Sequence, residues 1–315
     1  MATATVESAR YASSPWSMPW AGWRRALKSA ALSLAETELS IRCAGVAFFS
    51  FLSLFPAIAS GVLVYGLVGD PAKLQDQFDT LSLILPAQAA AIIGDQLADL
   101  LAKPEEELGI GLAIGLGLAL WSGSRGVNTL VFALSKSQYE EENRPFVLAA
   151  LLSLALTLGG FVVAILALFA LAVLPASLSI IPAPDLAETI ALWVRWPILA
   201  AIVFCAAVIL YRVAPHRADP KFRWVTPGAA LTTVLWLAAS ILFSVYVENF
   251  GSYDATFGSL AAVVILMLWF YYSTMIFVLG SRLNAELELQ TKRDSTTGLD
   301  RPIGERGAYV ADNVR

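Results

Sequence analysis

The chain has 315 residues, of which 57% are hydrophobic and only 15% charged, with a mean hydropathy of +0.67 and a formal net charge of −4. A soluble domain carries about a quarter charged residues, so this balance excludes an ordinary water-soluble enzyme, and the small negative charge excludes a nucleic-acid partner held by a basic face. Cys43 and Cys205, the two cysteines, both lie within apolar runs and supply neither a disulfide framework nor a CxxC pair.

Residues 1–19 have no basic stretch leading into an apolar core, so they read as a flexible N-terminus and not as a cleavable signal. Residues 20–39, "WAGWRRALKSAALSLAETEL", bring Trp20, Trp23, Leu27, Ala30, Ala31 and Leu34 near one helical face. They predict an amphipathic helix in the membrane interface, with Trp16, Trp20 and Trp23 at headgroup level.

Six apolar blocks follow, at 41–69, 108–134, 146–174, 187–212, 224–247 and 257–281. A helix of about 20 apolar residues crosses the ~30 Å hydrocarbon layer, and none of these blocks shows the alternation of a barrel strand. The predicted fold class is therefore all-α, a polytopic six-helix transmembrane bundle with amphipathic interfacial helices. Its membrane domain covers 20–289.

Between the first two blocks, residues 70–107 space Leu74, Phe78, Leu81 and Leu85, then Ile93, Leu97, Leu100 and Leu101, at helical intervals. An external amphipathic loop of two short helices is expected, either a packing cap or a lid over a pathway. Residues 290–315 are polar, contain Gly and Pro and lack periodicity, so a disordered tail is expected.

Lys and Arg alternate between the loops. Arg24, Arg25, Lys28 and Arg42 precede the first block, Lys136 and Arg144 follow the second, Arg212, Arg217, Lys221 and Arg223 follow the fourth, and Arg282, Lys292 and Arg293 follow the sixth. The opposite loops hold only Lys73 and Lys103. The excess of cations on one side predicts that both termini are cytoplasmic, in the inner membrane of a bacterium.

The stretches "AGVAFFSFLSLFP", "LWSGSRGVNTL", "LYRVAPHR" with "FRWVTPGA", and "SVYVENFGSYDATFGSLAAVVILMLWFYYSTMIFVLGSRLNAELE" resemble the YihY/BrkB family of bacterial inner-membrane proteins over about residues 25–290. The resemblance implies six membrane helices with both ends cytoplasmic. It implies no settled activity, since members carry the names of a virulence factor and, misleadingly, of a ribonuclease. The chain departs from the family pattern at Ser281 and Arg282, where an Ala-Glu pair is usual, at Ser135 for Asn and at Gln138 for Tyr. It also lacks the usual basic pair after Arg144.

No enzyme is expected. Metal-dependent hydrolysis needs clustered His, Asp or Glu ligands, whereas His216 is the chain's one histidine and no HxH or HExxH spacing occurs. "GIGLAIGLG" is not followed by Lys-Ser/Thr and makes no phosphate loop. No cofactor and no metal are expected, and no nucleic acid; the expected partners are membrane lipids.

The polar residues within the blocks are the candidate site. Arg125 lies about nine residues before position 134, ~13 Å at ~1.5 Å per residue, and a cation at that depth calls for a partner. Two readings stand. Arg125 pairs with Glu286 as a clasp, or Arg125 with Asn128, and with Asn284 and Glu286 at the same mouth, holds an anionic group. Gly111, Gly115, Ala119, Ser122 and Gly126 form a small-residue stripe for close helix approach. Pro56 and Pro197 are kinks or hinges, with Ser53 expected to satisfy the carbonyl freed by Pro56. Tyr253 and Asp254 form an outer polar turn. Together these point to transport or export of an anionic amphiphile or lipid through a polar cleft; the alternative is a non-transporting scaffold that organises envelope proteins.

Overall fold

The computed structural model describes residues 11–68, 105–170, 184–249 and 259–315. Most of the external loop expected at 70–107, and the turn with Tyr253 and Asp254, lie outside the described residues. Among the described residues there are eight α-helices: α1 (Trp20–Ser33), α2 (Thr37–Val68), α3 (Glu105–Ser137), α4 (Phe146–Leu168), α5 (Pro184–Val213), α6 (Phe222–Asn249), α7 (Ser259–Glu288) and the short α8 (Tyr309–Asp312). No strand occurs among the described residues, where one isolated bridge joins Pro220 to Thr296. The fold is all-α, as expected.

Each of α2 to α7 contains a stretch long and apolar enough to cross a membrane: Thr37–Ser60, Ile110–Ser137, Phe146–Ala167, Trp193–Val213, Phe222–Tyr246 and Val263–Glu288. They coincide with the six predicted blocks. The sixth runs on from 281 to Glu288 because Ala285, Leu287 and Leu289 are buried against protein rather than ending in a loop.

The chain divides into two compact units, Met1–Ala47 with Val127–Arg315, and Phe48–Gly126. In the larger, one apolar core gathers Leu39, Cys43, Leu134, Val208, Tyr211 and Val278. A second joins Ala26 and Ala30 of α1 to Trp224, Leu283 and Leu287. Thus α1 seats only part of the face expected from its hydrophobic pattern: Ala30 is in that core and Trp23 and Leu27 pack against it. It buries Gly22, Ala26, Ala30 and Ser33, a small-residue stripe, and leaves Trp20 and Ala31 exposed. Gly22 lies close to Gln290, whose Nε2 donates to the Gly22 carbonyl at 3.1 Å.

Residues 290–315, expected to be disordered, are folded. Arg306 is buried and donates to the carbonyls of Arg301, Lys292 and Ala311 at 2.7–3.0 Å. The Asp312 carboxylate accepts from the backbone N–H groups of Gly304, Arg306 and Gly307, and Thr291 Oγ1 donates to Ala12 at 2.8 Å. Low hydrophobicity misleads here because this segment is ordered largely by hydrogen bonds between charged side chains and backbone, with few apolar residues buried, Val310 among them against Ala285 and Leu289. Residues 11–19 are also ordered: Ala12 and Met18 are buried, and Trp23 Nε1 donates to the Pro15 carbonyl.

In the smaller unit, α2 runs through Pro56 without interruption. Proline removes the donor to the carbonyl four residues back, that of Leu52, but Ser53 Oγ donates instead to Ser50 at 2.9 Å. The serine expected to satisfy the freed carbonyl therefore serves its neighbour. Ser60 Oγ donates to the Pro56 carbonyl at 2.7 Å. Gly115 faces Ser60 and Gly126 faces Phe49, while Ala119 and Ser122 between them are buried. The small-residue stripe lets α3 approach α2 closely. Pro197 likewise lies within a continuous α5.

Candidate functional site

In the larger unit, the polar residues concentrate where α3 ends and α7 ends. Gln138 Nε2 donates to the Ser281 carbonyl at 2.7 Å and to its hydroxyl at 3.0 Å, and Ser137 Oγ meets Ser281 Oγ at 2.7 Å. Arg282 donates to the Ser137 carbonyl and to Glu36 Oε1 at 3.2 Å, and its Nε lies 3.4 Å from Glu286 Oε1. One turn on, Arg217 makes a two-pronged ion pair with Glu288 at 3.1 and 2.7 Å and also donates to Gln138 Oε1 at 2.9 Å. Ser295 Oγ completes Glu288 at 2.7 Å.

Tyr139 organises the mouth. Its φ of 61° is left-handed, an uncommon conformation for a bulky residue, and such backbone persists where the surroundings over-determine it. Here they do: the Arg282 guanidinium sits 3.8 Å from the ring centroid, Arg315 sits 4.7 Å away, and Tyr309 stacks at 5.6 Å. The phenol donates to Glu286 Oε1 at 2.5 Å and accepts from Arg315 at 3.0 Å. Burial, with the Glu286 hydrogen bond, pushes the Tyr139 pKa up. Burial also raises that of Glu140, although the Tyr309 N–H bonded at 2.6 Å opposes it. Asp294 is the reverse case: burial disfavours its charge, but hydrogen bonds from Arg301 and Thr296 hold its pKa below the ordinary value. Glu36, Lys136, Tyr139, Glu140, Glu141, Arg282 and Tyr309 line a cavity of about 350 Å³ of mixed charge.

The residues singled out in the sequence take separate places. Glu286 joins this network through Arg282 and Tyr139. Asn284, fully buried, bridges α6 and α7: its Oδ1 accepts from Gly228 N–H at 2.7 Å and its Nδ2 donates to the Val225 carbonyl at 3.2 Å. That bridge sits beside Pro227, and Thr226 Oγ1 donates to the Arg223 carbonyl, the one that Pro227 deprives of its helical donor. Asn128 ties α3 to α4 through Ser153 Oγ at 3.2 Å. Arg125 belongs to the smaller unit, exposed on α3, with its guanidinium 5.9 Å from the ring centroid of Trp121.

Sequence reading missed Arg217, Glu288 and Tyr139. A signal for Arg282 with Glu286 was available, since a cation and an acid four residues apart meet on one helix face. None existed for Arg217 with Glu288, which lie 71 residues apart. Arg144 was seen only as a loop cation; it caps the end of α5 by donating to the Ala214 and Pro215 carbonyls, at 3.0 and 3.1 Å, where a positive charge suits the helix dipole.

Six helices long and apolar enough to span a bilayer define the class: an integral membrane protein. The family model described as virulence factor BrkB matches residues 31–302, and the chain belongs to that family. It is 32% identical over 258 residues, 80% of this chain and 90% of the relative, to the ribonuclease-like protein YfkH of Bacillus subtilis. It is 37% identical over 98 residues, 30% of this chain and 34% of the relative, to a UPF0761 membrane protein of Idiomarina loihiensis. A UPF0761 membrane protein of Xanthomonas oryzae is 36% identical over 87 residues, 28% of this chain and 20% of the relative. No solved structure matches the chain.

Proposed function

We propose that this membrane protein transports or exports an anionic amphiphile, such as a lipid, and that its termini face the cytoplasm of a bacterial inner membrane. The observation that carries the reading is Arg125. It stands about 12 residues before the end of the Ile110–Ser137 span, ~18 Å at ~1.5 Å per residue, and it is exposed on that helix. An ionisable residue within a span is by default a mark of a substrate path, and a guanidinium presents a fork matched to phosphate or carboxylate. Trp121 beside it offers an amphipathic ring to the same ligand.

The clasp between Arg125 and Glu286 is the weaker reading, because Glu286 already has Arg282 and Tyr139. The charge exchange Arg125→Glu with Glu286→Arg is accordingly expected not to restore function. Lys and Arg collect on the side of the termini, which supports the cytoplasmic orientation. We assign no enzymatic step: the ribonuclease-like name belongs to the Bacillus relative, and in this chain the single histidine, His216, accepts a backbone N–H from Asn143.

The test is lipid and organic-anion movement in reconstituted vesicles. Wild-type protein is expected to move an anionic amphiphile, Arg125→Gln to slow it at least ~10-fold, and Arg125→Lys to retain part of the rate, since a point charge replaces a fork. Absence of movement of any anionic lipid by folded wild-type protein sinks the proposal. The scaffold reading draws on one observation, the folded segment 290–315, a rigid surface for another protein. It predicts stable co-purifying envelope proteins and no movement.

A further inference from the structure

The apolar stripe that α1 buries leaves an unexpected face outside. Trp20, Arg24, Arg25, Lys28 and Leu32 are all exposed along it, with Trp16 just before the helix. Trp16 is 67%, Trp20 73% and Leu32 64% exposed, so large apolar groups flank three cations. The helix "WAGWRRALKSAALS" contains no acid, and none of the three cations makes an ion pair among the described residues.

Depth supplies a second, independent constraint. The buried side of α1 packs on Trp224, Leu283 and Leu287. Trp224 is in the first turn of the Phe222–Tyr246 span, and Leu283 and Leu287 are in the last turns of the Val263–Glu288 span. A helix fixed to those turns lies at headgroup level, where Trp rings prefer to be and where Lys and Arg are drawn to acidic lipids. Glycine, alanine and serine fill the side facing protein, so α1 carries no acid of its own to compete for the guanidinium groups.

From this geometry we infer that the outer face of α1 is a docking surface for anionic phospholipid. Trp16, Trp20 and Leu32 enter the headgroup and upper acyl layer, and Arg24, Arg25 and Lys28 bind lipid phosphate. The occupant is the acidic leaflet of the membrane that α2 to α7 cross, not a soluble anion, because isolated cations would not need large exposed apolar groups, Trp16 and Trp20 before them and Leu32 after, on either side. The face is distinct from Arg125, which lies within a span.

The experiment uses the full chain in nanodiscs of mixed phosphatidylglycerol and phosphatidylcholine. Each lipid in turn carries a photoactivatable headgroup, and labelled peptides are mapped by mass spectrometry. Phosphatidylglycerol is expected to label residues 16–32 several-fold more than phosphatidylcholine. The triple variant Arg24→Gln, Arg25→Gln, Lys28→Gln is expected to label about equally with the two lipids, since each such cation near an acidic surface contributes about one factor of five. The charge-conserving variant Arg24→Lys, Arg25→Lys is expected to keep it. Equal labelling of wild-type protein by both lipids, labelling outside 16–32 only, or a triple variant that melts like wild type and still prefers phosphatidylglycerol overturns the inference. A protein docked on this face in place of lipid would appear as exclusion of both probes, which also overturns it. Transport through Arg125 can fail with this labelling intact, so the two proposals are separable.

Discussion

Replacing Gly280 by alanine is expected to prevent stable folding, and Gly228→Ala to do nearly the same. The two glycines face each other where α6 crosses α7. A Cβ at 280 would overlap Thr232 Oγ1, meet the Tyr211 hydroxyl at 2.5 Å and reach the Gly228 carbonyl at 2.7 Å. A Cβ at 228 would overlap the Gly280 carbonyl and lie 2.5–2.6 Å from the Asn284 amide. None of these neighbours can withdraw cheaply. Tyr211 OH is bonded to Thr232 and to the Phe277 carbonyl at 2.8 Å, and Asn284 is bonded on both sides to α6. Overpacking an interior costs ~1–3 kcal/mol and more when backbone must move; here the helices must separate and break those bonds, which places the cost at or above ~3 kcal/mol. Gly159→Ala and Gly160→Ala are internal controls, with nothing within 4 Å of the added carbon. They should leave stability unchanged or raise it by up to ~1 kcal/mol through helix propensity. Thermal unfolding in one detergent compares all four, and a Gly280→Ala protein as stable as Gly159→Ala would refute the packing argument.

The membrane helices were legible because spanning is a property of one segment at a time. A run such as "FVLAALLSLALTLGGFVVAILAL" has no aqueous alternative. What hydropathy cannot carry is a partner distant along the chain. The face of α1 was misjudged in part for that reason: Trp20 and Ala31 were placed on the apolar side and are exposed, whereas Gly22 and Ala26 pack inward beside Ala30 because only small residues let α1 reach Gln290 and Leu287. Segment 290–315 was misjudged for the same reason, since Arg306 and Asp312 order it through backbone groups that no composition reveals.

The candidate site shows the same division. Glu286 lies near the end of α7, where a partner was sought by depth alone, while Arg282 stands one turn away on the same helix. Asn284 was read as lining a cleft and is instead a bridge between helices. Departures from the family pattern proved more informative than they looked. Gln138 and Ser281 bond to each other twice, and Gln138 in turn accepts from Arg217. Ser135, a third, donates to Glu142, which Arg144 pairs at 3.0 Å. Substitutions that look scattered along the sequence are neighbours at one end of the bundle.

That network yields the other large effect, at the pair of Arg217 and Glu288. Both side chains are 1% exposed, and the ion pair is 2.7 Å at its shorter arm. Removing charges from water is costly, so a buried pair adds little by itself, but removing one partner strands the other. Arg217→Met leaves Glu288 with only Ser295, and Glu288→Leu leaves Arg217 with Gln138 and the Ala218 carbonyl. Each single variant is expected to lose ~3–5 kcal/mol. The double variant Arg217→Met, Glu288→Leu should lose less than either, because no charge is then stranded and the space is filled by apolar side chains of similar volume. A double-mutant cycle by thermal unfolding reads the coupling directly, and additive losses would mean that the two groups do not act as a unit. The sign also separates roles: if the pair only holds the end of α7 against the loop after α5, the double variant regains transport along with stability. If Arg217 instead contacts the moving ligand, the double variant is stable and inactive.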